Sequence, residues 1–118
     1  MILVIARIEA HVAQRRELVQ ALLHWAAVTR NEAGTLATDV YEDVAAGNIF
    51  CVVSEWASRP ALEAHLRGPA FGSMLGAIEL LADRSTVSVT EAADHADASM
   101  TLRRLRDAGR HAQQSGSA

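Results

Sequence analysis

One histidine stands where an imidazole could do chemistry. His65 lies three residues after Leu62 and one before Leu66, in Ala61-Leu62-Glu63-Ala64-His65-Leu66. On a helix that spacing places it at the flank of an apolar face, where a pocket between helix and sheet could use it. Imidazole takes and gives a proton near neutral pH. The chemistry open to it is general-base catalysis or hydrogen bonding to a phenol or enol. The alternative is a histidine that bonds locally and does no chemistry.

Trp56 offers an aromatic wall for a flat ligand, although core packing is the commoner fate of a lone tryptophan. Glu55 precedes it on a strand, so the two side chains point to opposite sheet faces. Glu55 is expected to pair with Arg7 across the sheet rather than to act as a base. Tyr41 could bond a substrate carbonyl or sit in a subunit interface. Arg7 shares parity with Leu3 and Ile5, and Trp25 falls on a buried helical stripe. His11 and His24 read as surface residues, and His95 and His111 lie in the tail without a partner motif. The single Cys51, within IFCVVSEW, reads as a small buried hydrophobe. It excludes an intramolecular disulfide and a cysteine-based zinc site. No histidine or carboxylate cluster has metal-ligand spacing. Glycine-rich phosphate loops, a dinucleotide fingerprint and a nucleophile elbow are also missing. No metal and no built-in cofactor are expected, though reduced flavin could enter as a co-substrate.

These residues need elements to hold them. Residues 2–9 alternate as a strand, with Ile2, Val4, Ala6 and Ile8 on one face. Leu18, Leu22 and Trp25 predict a helix over 12–31, and Gly34 suits a left-handed turn at or beyond its end. Strands are predicted over 35–44 and 49–57, joined by Ala46-Gly47-Asn48. Ser58 is a candidate N-cap, with Pro60 in the first turn. Gly68-Pro69 should break or kink the helix, which resumes through Phe71, Met74, Leu75 and Ile78. A last strand fits 85–91. The order β-α-β-β-α-β is the ferredoxin-like α+β arrangement, an antiparallel sheet with its helices on one face. The uncovered face carries Leu3 and Ile5 or their opposites, so a homodimer is expected.

Residues 1–91 form this domain. Residues 92–118 read as a tail, helical where it docks and otherwise disordered. Ser99 or Thr101 could cap a helix carrying Leu102 and Leu105, too thin a stripe to fold alone. The chain of 118 residues has room for one core. Its net charge of −3 gives no reason to expect nucleic acid. No apolar run approaches the roughly 20 residues that span a bilayer, so no membrane partner is expected. The opening MILVIARIEA is too short, and lacks the basic leader, for a signal peptide. A cytoplasmic protein is expected.

Glu55-Trp56-Ala57-Ser58, Ala61-Leu62-Glu63-Ala64-His65-Leu66 and Gly68-Pro69-Ala70-Phe71 resemble the core segment of the antibiotic biosynthesis monooxygenase family. Arg30-Asn31-Glu32-Ala33-Gly34-Thr35-Leu36 resembles that family's helix-to-strand turn, and Tyr41-Glu42-Asp43 the strand end after it. The likeness covers about residues 2–91. It implies a dimeric α/β barrel and several activities: cofactor-independent oxidation of quinols or polycyclic aromatics, haem degradation, or non-oxidative isomerisation. An ungapped count puts Ala6, His65 and Leu75 where haem-degrading relatives carry Asn, Trp and the ligating His, which argues against haem. The quinol-oxidising branch matches better, but often has a second His where Ala70 stands here. The resemblance thus implies a monooxygenase of a small aromatic molecule, with His65 as base or hydrogen-bonding group. Trp56, Tyr41, Phe71, Ala6 and Leu75 are its expected substrate-binding residues. An isomerase or cyclase of the same fold, or a non-catalytic ligand-binding dimer, is the alternative.

Overall fold

The structure, a computed structural model, describes residues 1–93 and 95–116. Strand β1 (Ile2–Ala10) leads through one 3-10 turn (Val12–Gln14) into helix α1 (Arg15–Thr29). Strands β2 (Thr35–Glu42) and β3 (Ile49–Trp56) form a hairpin. Helices α2 (Arg59–Leu66) and α3 (Pro69–Leu81) follow, then β4 (Ala82–Glu91) and α4 (Ala98–Gly116). The sheet order is β2-β3-β1-β4, and all neighbours are antiparallel. This is the expected ferredoxin-like α+β fold. Within one chain the sheet is open rather than closed into a barrel.

Strand alternation sorts the side chains into two faces. On the helix side, Val4 lies between Ser54 and Val89, Ala6 between Val52 and Val87, and Ile8 between Phe50 and Ser85. Leu18, Leu22, Trp25 and Ala26 of α1 pack there with Ile8, Phe50, Val52 and Met74. A smaller cluster joins Ile2, Trp56 and Leu62. The opposite face is open. It carries Leu3, Ile5 and Arg7 of β1, Tyr41 of β2, and Cys51, Val53 and Glu55 of β3. Cys51 is therefore a half-buried residue of the open face rather than a core residue. Arg7 lies opposite Cys51 and Glu55 opposite Leu3, so the expected Arg7–Glu55 pair does not form. Glu55 bonds His95 instead.

Local chemistry explains most boundaries. Asp43 ends β2 by accepting hydrogen bonds from the backbone of Ala45 and Ala46, an Asx-type turn. Ser58 Oγ caps α2 by accepting from Ala61 N at 3.3 Å. Gly68-Pro69 splits the second helical region, with Pro69 opening α3 where its missing N–H costs nothing. Strand β4 begins at Ala82, three residues before the expected 85, because α3 passes into it without a loop. Asp97 caps α4 rather than Ser99 or Thr101: its Oδ1 accepts from Met100 N at 2.9 Å. No described helix is long and apolar enough to cross a membrane.

Among the described residues, Gly34 is the one with positive φ, at 84°. A Cβ there would collide with the Ala61 side chain, so the turn needs glycine for its conformation and for its clearance. Gly34→Ala is expected to destabilise the fold by about 1–3 kcal/mol, read from urea unfolding. An unchanged midpoint would contradict this reading of the turn.

Candidate active site

The turn that Gly34 permits also places a carboxylate. After α1, the backbone N–H of Asn31 donates to Val28 O and that of Glu32 to Thr29 O. Thr35 Oγ1 donates to the same Thr29 carbonyl at 3.0 Å. Glu32 is thereby held beside the end of α2. There Leu62 and His65, one turn apart, are the buried residues of that short helix. His65 Nδ1 lies 2.6 Å from Glu32 Oε2. The imidazole is 4% exposed and the Glu32 side chain 29%.

Aromatic rings surround the imidazole. Trp56 lies against it at 4.7 Å between centroids, tilted by 30°. Trp25 and Phe71 approach edge-on at 5.8 and 5.9 Å. An ionised carboxylate only accepts, so Nδ1 carries the hydrogen of the 2.6 Å bond. In the neutral ring Nε2 then holds the free lone pair. Nε2 has no hydrogen-bond partner among the described residues, and His65 borders a cavity of about 350 Å³.

The cavity lies between the sheet and the helices. Val4, Ala6 and Ile8 of β1, Val52 and Ser54 of β3, and Val87 and Val89 of β4 form its floor. Trp25, Leu62, Leu66, Phe71, Met74, Leu75 and Ile78 come from the helices. Nearly the whole lining is apolar, and His65 is the one imidazole among the described residues that form it. Of the expected site residues, His65, Phe71, Ala6 and Leu75 meet here. Trp56 does not reach the cavity. It packs behind the imidazole and donates Nε1–H to Ser54 Oγ at 3.0 Å. Tyr41 is on the opposite sheet face, paired with Cys51 and 55% exposed. Trp25, expected as core, both packs in the core and lines the cavity. Its Nε1 is buried without a partner among the described residues. Among the described residues no group of three or more potential ligands is placed to hold a metal.

A second hollow of about 280 Å³ adjoins the first, sharing Trp25 and Met74. Glu32, Ala70 and the exposed His24 line it. Ala70, where quinol-oxidising relatives often have a second histidine, thus sits on the Glu32 side of the site. Glu32 is the site residue that sequence reasoning gave no role. Its only signal was its place in the helix-to-strand motif.

The sequence model of the antibiotic biosynthesis monooxygenases matches residues 1–76. The chain belongs to the antibiotic biosynthesis monooxygenase family. Solved structures agree with the assignment. A Deinococcus radiodurans protein described as a candidate antibiotic biosynthesis monooxygenase is 26% identical, with a TM-score of 0.77. The match covers 82% of this chain and 97% of that one. The Mycobacterium tuberculosis protein Rv0793 is 28% identical over 81% of this chain and 98% of its own, with a TM-score of 0.75. The Pseudomonas aeruginosa protein PA3566 is 25% identical over 79% and 94%, with a TM-score of 0.72. No curated protein matches this chain.

In this member of the antibiotic biosynthesis monooxygenase family, the Glu32 bond should fix the tautomer of His65. Nitrogen-15 spectra of the neutral ring are expected to show Nδ1 protonated and Nε2 bare. Glu32→Leu should shift the ring toward Nε2–H, the form free histidine favours. A protonated Nε2 in the parent would remove it as a base.

Proposed function

We propose that this chain is a cofactor-independent monooxygenase that oxidises a quinol-like or polycyclic aromatic metabolite, working as a homodimer. The observation that carries the reading is His65 lining an apolar cavity, with Nδ1 held by Glu32 and Nε2 left without a partner among the described residues. A cavity of about 350 Å³ falls in the range of small-molecule sites. Its lining suits a flat hydrocarbon skeleton better than the polar ligand of a sugar isomerase. A side-chain-filled interior would have spoken against any enzyme.

The chemistry needs no group beyond the substrate and dioxygen. His65 Nε2 removes a proton from a phenol or enol, and Glu32 steadies the imidazolium that results. The anion passes one electron to dioxygen. The radical pair joins carbon to oxygen and, with the proton returned, gives a hydroperoxide. Loss of water from it leaves a carbonyl. One oxygen atom stays in the product and the other leaves as water, with the returned proton and the hydrogen of the oxidised carbon. The aromatic and aliphatic walls keep bulk water from the anion, which strengthens electrostatics inside.

The open sheet face supports the dimer. Leu3, Ile5, Val53 and Tyr41 present apolar surface there, with Ile5 37% exposed. A facing sheet from a second copy would bury it.

Two tests follow. Oxygen uptake with anthrone-like and quinol substrates should fall by about 10²–10⁴-fold in kcat for His65→Ala. Uptake unaffected by the substitution would reject His65 as the base. Separately, Ile5→Glu should move the protein to monomer in sedimentation while its circular dichroism is kept. A variant that stays dimeric would place the interface elsewhere.

A further inference from the structure

Helix α4 has no place on its own chain. Among the described residues, it packs along no preceding element to more than a slight extent. The radius of gyration is accordingly 17.7 Å, against about 13.5 Å for a compact chain of this length. Leu102 and Leu105 share one face of α4, with Ala98 and Gly109 continuing the stripe, and each leucine is 64% exposed. Arg103, Arg106 and Arg110 lie along the adjoining face. So thin a stripe does not hold a helix together unless something covers it. The solved structures described above leave about a fifth of this chain without a counterpart, although they are themselves almost fully covered.

Three observations say what covers it. The first is charge. Residues 98–118 hold four arginines and one aspartate, while residues 1–97 hold seven arginines and thirteen acidic residues. The helix is basic and the body is acidic, so the helix suits this body and the body would be repelled by an anionic surface. The second is direction. His95 Nε2 lies 3.0 Å from Glu55 Oε1, on the open sheet face. The Met1 and Ala92 backbones also bond each other. The tail therefore starts on the face away from its own cavity and beside the face on which a second copy would pack. The third is the cavity mouth, which is apolar and uncovered. Leu66, Leu75, Val87 and Val89 are 42–66% exposed there; the exposed Glu79 follows the lining Ile78, and the exposed Glu91 shares the strand face of Val87 and Val89.

We propose that α4 crosses to a second copy of this chain and lays Leu102 and Leu105 over the mouth of that copy's cavity, with its arginines toward Glu79 and Glu91. The inference rests on the dimer reading above. It makes each cavity a site completed by both subunits. Ligand entry then requires the partner's helix to lift.

The test is hydrogen exchange on the full chain across the concentration range in which the dimer forms, with the variant Leu102→Glu/Leu105→Glu beside it. Protection of α4 amides should rise as dimer forms. In the variant that protection should be lost, exchange should quicken at residues 75–80 and 85–90, and the dimer should weaken by about tenfold or more. Unprotected α4 amides in a dimeric parent would overturn the inference and leave the dimer standing. A parent that is monomeric throughout would overturn both. Protection that does not change with concentration would place α4 on its own chain. Binding of the parent to vesicles of anionic phospholipid, lost in the variant, would assign the stripe to a membrane surface instead.

Discussion

A bond of 2.6 Å joins His65 Nδ1, near the end of α2, to Glu32 Oε2 in the turn after α1. A hydrogen bond to an ionised group contributes roughly 1.5–3 kcal/mol, a modest share of a domain's stability. Its larger effect is on orientation. It sets which ring nitrogen carries hydrogen and which keeps its lone pair. Without it the imidazole would be an ordinary buried histidine among three aromatic rings. The bond depends in turn on the glycine turn at Gly34, on the Thr29 carbonyl that gathers the loop, and on the Ser58 cap that starts α2.

The strand pleat gives the two sheet faces different work. On the helix face, Ala6 stands at the centre of the floor between Val52 and Val87. Its small side chain leaves the space that a larger residue would fill. The break at Gly68-Pro69 lets α2 present His65 while α3 turns away to carry Phe71, Met74 and Leu75 along the opposite wall. On the other face, Leu3, Ile5 and Val53 are left open. A cavity and an open apolar face lie back to back on one thin sheet because neighbouring residues point in opposite directions.

What the sequence made legible was local. Alternation in residues 2–9, the Ser58 cap, the Gly68-Pro69 break and the left-handed Gly34 each depend on a few adjacent residues, and each stands where expected. Ala6, His65 and Leu75, placed by an ungapped count, also line one cavity. What escaped was tertiary. Glu32 and His65 are 33 residues apart, and no periodicity links a turn to a later helix. Parity gave Trp56 the correct face but not its depth, so it backs the imidazole rather than walling the cavity. Tyr41 lies on the open face, and parity within β2 did not reveal which set of residues met the helices. The cap of α4 was misread because Asp97, Ser99 and Thr101 can all serve, and only the folded chain selects among them.

Trp25 and Trp56 are the only tryptophans, and both lie against His65. Their fluorescence therefore reports directly on the site. The decisive measurement is an anaerobic titration with a redox-inert naphthol, comparing the parent with Ala6→Phe, whose ring would occupy the cavity floor. The expected result is saturable quenching at one ligand per subunit in the parent, lost in Ala6→Phe with folding retained. No saturable change in the parent, or equal binding by Ala6→Phe, would contradict an aromatic substrate cavity at His65.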